Sequence, residues 1–195
     1  TPWAAIAQAM RDGLPAPNGF IVFPRTAEKD IRGAYEELKI REKTHFLAVR
    51  GPSHAALNVI GPDPLLQTLR RLWRESPEAP ILVQRMIHSM WCGKAQWHGK
   101  NLRVKANEGM LLLDPDAYLV NAATGRCARK TLEPKQRKMI RHVDGTPRTV
   151  EREGARAPIT ADQLKSVAEL ATRAKADISW AIDDQDRIWL IGLEA

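Results

Sequence analysis

The sequence has only two cysteines in 195 residues, Cys92 and Cys127, and neither sits at zinc-ligand spacing from the other or from a histidine pair. That excludes a disulfide-built scaffold and a cysteine metal site, and both thiols read as reduced and structural. No stretch approaches eighteen uninterrupted apolar residues, so no membrane-spanning helix is expected. The opening TPWAAIAQAMRDG reaches Arg11 and Asp12 too soon to be a secretory hydrophobic region, and the expected location is cytoplasmic. No internal repeat and no low-complexity linker divides the chain. An apolar content of 44% is ample for one core, or for two subdomains meeting near residue 80 (about 1–80 and 81–195).

Negative charge is also short: 23 acidic against 30 basic residues leave a net charge of +7. The excess is concentrated between Arg126 and Arg156, where Arg137, Lys138 and Arg141 stand close together. Such a run is most simply a solvated face, but it would also attract a polyanion or an acidic protein. Trp91 and Trp97 lie among Arg85, Lys94, Lys100, Arg103 and Lys105. That mixture fits single-stranded nucleic acid, with bases stacked on rings and phosphates tracked by cations, and it equally fits a packed sheet. His88 and His98 flank the same tryptophans without zinc spacing, which makes them structural.

Helical periodicity marks residues 3–11, stopped by Gly13. A second helix capped by Thr26 or Asp30 runs to about Leu38, and a third carries Leu65, Leu66, Leu69, Leu72 and Trp73. The clearest helix starts at Thr160 and ends near Ala174. FLAVR, ending at Arg50, and ILVQRMI read as buried strands, with GPSHAALNVIGPDP between them as a turn-rich stretch. From Trp91 to Val120 the pattern suggests short strands broken by Gly93, Gly99 and Gly109. AYLVNAATGRCARK reads as a strand with its own turn, 132–158 as an exposed basic hairpin or loop, and DISWAIDDQDRIWLIGL as a closing hairpin turning at Asp183–Asp186.

Six stretches, in unbroken order, match one known pattern. GLPAPNGFIV resembles "GLPVPPGFVV". AYEEL leading to LAVR resembles a helix and "AVRSS" strand, and LNVIGPDPLLQTLRRLWRES resembles "LNV-G---LL-A-R--W-S". ILVQRMI resembles "VVVQRMV", DPDAYLVNAATG resembles "-PD-YVVD--TG", and LKSVAELATRAKADISWAIDDQDRIWLI resembles a helix followed by "DIEWA-D--G-LYLLQARP". Together they span nearly the whole chain and are similar to the ATP-binding, ATP-grasp domain of phosphoenolpyruvate synthase and pyruvate phosphate dikinase. The resemblance implies an α+β, ATP-grasp-like fold of mixed or antiparallel sheets with packed helices, here with reduced loops.

Position by position, the resemblance also implies a depleted site. Arg50 matches a phosphate-contacting arginine, Gln84 lies in the matching "QRM" strand, Glu108 remains from a "GLGE" turn now reduced to Asn107, Glu108 and Gly109, and Asp177 remains from a metal-binding acidic pair whose second member is Ser179. Pro2 stands at a family lysine. Gly51, Pro52, Ser53 and His54 replace a Ser-Ser-Ala-Thr phosphate loop, and Gly192, Leu193 and Glu194 replace a final "Q-A-R". Phosphoryl transfer depends on cations and carboxylate-held magnesium around the moving group. The implied protein is therefore a non-catalytic binding or regulatory domain with residual nucleotide or anion binding at Arg50, Gln84, Glu108 and Asp177. It requires no cofactor, retains at most ATP with Mg2+, and works with another protein as partner. Two alternatives stand beside it: an ATP-binding phosphotransferase component acting with a separate chain, and a basic nucleic-acid module using Trp97, Arg137, Lys138 and Arg141.

Overall fold

The structure, a computed structural model, describes residues 2–110, 115–132, 137–142, 146–151 and 158–194; of residues 2–4, 137, 141 and 194 only the backbone is described. Two compact units emerge. One comprises residues 17–86 and 141–147; the other comprises 1–16, 87–140 and 148–195. Among the described residues no helix is long and apolar enough to cross a membrane.

In the first unit, β1 (Gly19–Val22), β2 (Phe46–Arg50), β3 (Ala55–Ile60) and β4 (Ile81–Arg85) form a sheet in the order β1-β4-β2-β3, each pair antiparallel. Strand alternation sends Leu47 and Val49 of β2, with Ile81 and Val83 of β4, into a core shared with Ile31, Tyr35 and Leu38 of α2 (Glu28–Glu42) and Leu65, Leu69 and Leu72 of α3 (Pro62–Glu75). Ala48, Arg50, Leu82 and Gln84 therefore occupy the opposite face. The helix α2 differs from its sequence reading. Ala27 is its N-cap and no side chain caps it, because the Thr26 hydroxyl instead accepts the Phe23 N–H at 3.2 Å and Asp30 is already inside the helix. It also continues past Leu38 to Glu42, ending where Lys43 turns left-handed at φ 48°.

β3 was hidden in the stretch read as turns. Gly51 donates to the His54 carbonyl at 2.8 Å, so the four residues Gly51–His54 close a tight turn, and AALNVI then pairs back along β2. A bulge between Leu47 and Val49 places Asn58, at φ 58°, in the extra length of β3.

The second unit is built on a six-stranded antiparallel sheet in the order β12-β11-β5-β6-β7-β8, formed by β5 (Ser89–His98), β6 (Asn101–Glu108), β7 (Asp116–Asn121), β8 (Cys127–Thr131), β11 (Asp177–Asp183) and β12 (Ile188–Glu194). Its core face carries Ala95, Leu102, Val104, Tyr118, Val120, Ile178 and Trp180, all buried. The helices α1 (Pro2–Arg11) and α4 (Ala161–Ala174) belong to this unit. α4 begins where the sequence placed it: Thr160 and Gln163 satisfy one another's backbone N–H groups in a capping box. Within 91–120, where short strands were expected, β5 and β6 form one long hairpin and β7 pairs along β6. Gly99, at φ 62°, makes the hairpin's turn, whereas Gly93 lies inside β5. A small hairpin of β9 (Arg137–Arg141) and β10 (Pro147–Glu151) joins the sheet's rim through a parallel bridge from Met139 to Gly109.

Candidate functional site

Arg50 ends β2. Val49 before it points into the helix-covered core, so the guanidinium is carried to the other sheet face, beside the strand that holds Gln84. In the β2–β4 register, Ala48 faces Gln84 and Arg50 faces Leu82, which makes Arg50 and Gln84 diagonal neighbours. Arg50 is partly buried, and its Nε has no hydrogen-bond partner. Burial disfavours its charged form and pulls its pKa below the ordinary arginine value, and no carboxylate among the described residues compensates. Gln84 is almost completely buried. Its Nε2 donates to the Pro17 carbonyl at 2.8 Å, which fixes the amide and leaves Oε1 unpartnered.

Asn58 joins this group on the neighbouring strand. It is buried, and neither its Oδ1 nor its Nδ2 has a partner. Sequence reasoning missed it, although one polar residue inside the apolar run AALNVI was a visible signal. A cation, an acceptor and an amide are thus held on three adjacent strands with unmet hydrogen-bonding capacity, an arrangement that is costly unless a polar ligand meets it.

Trp97, Glu108, Arg137, Lys138 and Asp177 fall in the other unit, whereas Arg141 is grouped with the first. Glu108 and Lys138 form an ion pair at 2.9 Å, so a candidate anion-site residue and a candidate polyanion contact are spent on one another. This pair lies beside the Gly109 bridge, where Met110 N–H donates to the Met139 carbonyl at 3.1 Å. Gly109 has φ 93°, and a Cβ there would collide with the Met139 carbonyl oxygen. Gly109→Ala should therefore loosen the β9–β10 hairpin by about 2 kcal/mol, seen as faster hydrogen exchange at Met110 with the six-stranded sheet still protected.

Asp177 opens β11, and its Oδ1 accepts the Trp97 backbone N–H at 2.8 Å. Ser179 lies opposite Gly192 two residues on. Trp97 shares strand parity with the core-facing Ala95, although the residue is 38% exposed near the end of the sheet. The side chains of Arg137 and Arg141 lie outside the described residues. Among the described residues, no three His, Cys, Asp or Glu side chains gather as a metal-binding group.

The whole chain superposes on enzymes of one fold. It is similar to the D-alanine-D-alanine ligase of Coxiella burnetii (TM-score 0.57, 13% identity, covering 98% of this chain and 46% of that one). It is also similar to the Bacillus anthracis D-alanine-D-alanine ligase complexed with ATP (0.54, 11%, 99% and 54%) and to the macrocyclase MdnC of Microcystis aeruginosa MRC bound with precursor peptide MdnA (0.53, 10%, 98% and 50%). The chain has the ATP-grasp fold. It spans about half the length of these enzymes. No family model matches it, and no curated protein sequence does.

Proposed function

We propose that this chain is an anion-binding ATP-grasp domain, of the kind in phosphoenolpyruvate synthase and pyruvate phosphate dikinase, that has given up phosphoryl transfer and serves as a binding or regulatory component for another protein. The observation that supports this reading is Arg50, a partly buried cation with an unmatched Nε beside the unmatched Oε1 of Gln84. A phosphate oxygen would accept from the guanidinium in a charge-assisted hydrogen bond and offset its desolvation.

Magnesium does not fit the same way. It requires several oxygen donors in octahedral geometry, usually one or two carboxylates with waters and phosphate. Asp177 already accepts a backbone N–H, and Ser179 and Gly192 stand at family positions that carry polar or charged groups. Nucleotide binding here rests on the arginine and involves no metal-assisted step. A protein partner is in keeping with the fold's use in MdnC, which binds a peptide.

Calorimetric titration with ATP and with inorganic pyrophosphate tests the reading. Arg50→Met should weaken either anion by tenfold or more, since one charge-assisted hydrogen bond contributes about 1.5–3 kcal/mol. Added Mg2+ should leave the wild-type affinity within about threefold, the scale expected without a bridging metal. Mg2+-dependent release of ADP or AMP that disappears in Arg50→Ala would instead establish the phosphotransferase alternative.

A further inference from the structure

The period-2 alternation of the six-stranded sheet separates residues that are mixed in the sequence. Trp91 and Trp97 share the parity of the core-facing Gly93 and Ala95, whereas Lys94 and Gln96 point the other way. On β6, Leu102, Val104 and Ala106 are buried, while Arg103 and Lys105 are exposed on the outer face. The tryptophans and the cations therefore do not form one base-stacking surface.

The outer face has an order of its own. Lys94 stands directly opposite Lys105, and Arg103 and Lys105 stand opposite Leu119 and Ala117 of β7. Leu119 in turn faces Arg129 of the edge strand β8. A half-buried apolar strip, Ala117 and Leu119, is thus flanked by cations on both sides. Like charges directly opposite one another destabilise a sheet. Lys94 and Lys105 are nonetheless paired, and the side chains of Arg103, Lys105 and Arg129 form no ion pair with any described residue. The acidic side chain of Asp177, which shares this face, is engaged with the Trp97 N–H.

We infer that this face, across β5 to β8, docks an extended acidic segment of a partner protein whose carboxylates meet Arg103, Lys105 and Arg129 and whose apolar residues cover Ala117 and Leu119. Charge complementarity selects the sign of the partner. The apolar strip, with no Trp, Tyr or Phe on this face of β5–β8 and only His98 at its end, selects a polypeptide over nucleic acid. The inference deepens the reading of the chain as a protein-binding component and is independent of Arg50.

The test is fluorescence anisotropy with a labelled twelve-residue peptide of repeating Glu-Leu-Asp, against labelled dT12, at 50 and 150 mM salt. Wild type should bind the peptide more tightly than dT12, with affinity falling as salt rises. Arg103→Glu with Lys105→Glu should weaken the peptide at least tenfold. An equal charge change in the other unit, Arg25→Glu in the turn before α2 with Lys29→Glu in its first turn, should weaken it less than threefold, as should Arg50→Met, which keeps a failed anion site distinguishable from a failed docking face. Arg129→Ser, at the edge strand, gives an intermediate loss and serves if the double variant does not fold. No peptide binding by wild type at 50 mM salt, equal losses in the two charge-reversed variants, or preference for dT12 would each overturn the inference.

Discussion

Gly93→Ala should destabilise the second unit by about 3 kcal/mol or more, a large share of a typical domain's 5–15 kcal/mol. Gly93 is in the middle of β5, between β6 and β11, where an ordinary side chain would normally strengthen a strand. Here a Cβ would collide with the Lys105 carbonyl oxygen and stand 2.5 Å from the Trp180 ring. Trp180 is among the largest fully buried side chains, and it lies directly opposite Gly93 across the β5–β11 pair. The glycine is the space the indole fills. Urea denaturation followed by tryptophan fluorescence would measure the loss. Because the nearest obstacle is backbone, shrinking the ring in a Gly93→Ala, Trp180→Leu double variant should not restore stability. Full rescue would show that the ring alone set the constraint.

Asp183→Ala should cost about 2–4 kcal/mol and detach the last hairpin, since four donors would lose one buried acceptor. The Asp183 carboxylate accepts from the backbone N–H groups of Gln185 and Arg187 at 3.0 and 2.9 Å, from Arg187 Nε at 2.8 Å and from Trp189 Nε1 at 2.9 Å. Burial alone would raise its pKa, but the Trp189 indole, the two backbone N–H groups and the Arg187 guanidinium together hold it below the ordinary 3.8. A depressed folded pKa means that the unfolded chain takes up the proton first. The stabilisation is therefore complete above about pH 4–5 and is lost as pH falls through and below the ordinary carboxylate value. Asp183→Asn should lower stability at pH 7 and flatten its decline between pH 5 and 3. An unchanged acid profile in that variant would place the acid sensitivity in other carboxylates.

Much of the fold was legible because its causes are local. Thr160 and Gln163 cap α4 through side chains three residues apart, FLAVR alternates into a core and carries Arg50 to the open face, and DISWAIDDQDRIWLI supplies both strands of a hairpin with their turn. The order of the matched stretches also anticipated the ATP-grasp fold, since each stretch is one of its elements. By itself, then, the sequence determined the elements whose signals lie within a few residues of one another.

Tertiary structure decided whatever depends on a distant partner. β3 is a strand because β2 offers it a ladder, although glycine and proline at both ends made the segment read as turns. Gly93 looked like a strand breaker until Trp180, 87 residues later in the sequence, came to lie across from it. Glu108 and Lys138, far apart in the sequence, are brought together as one ion pair, and Asp177 accepts the Trp97 backbone N–H. Charge and ring content can be read along a chain, but which side of a sheet each residue faces follows from strand register, and register is fixed by burying one face of all six strands together.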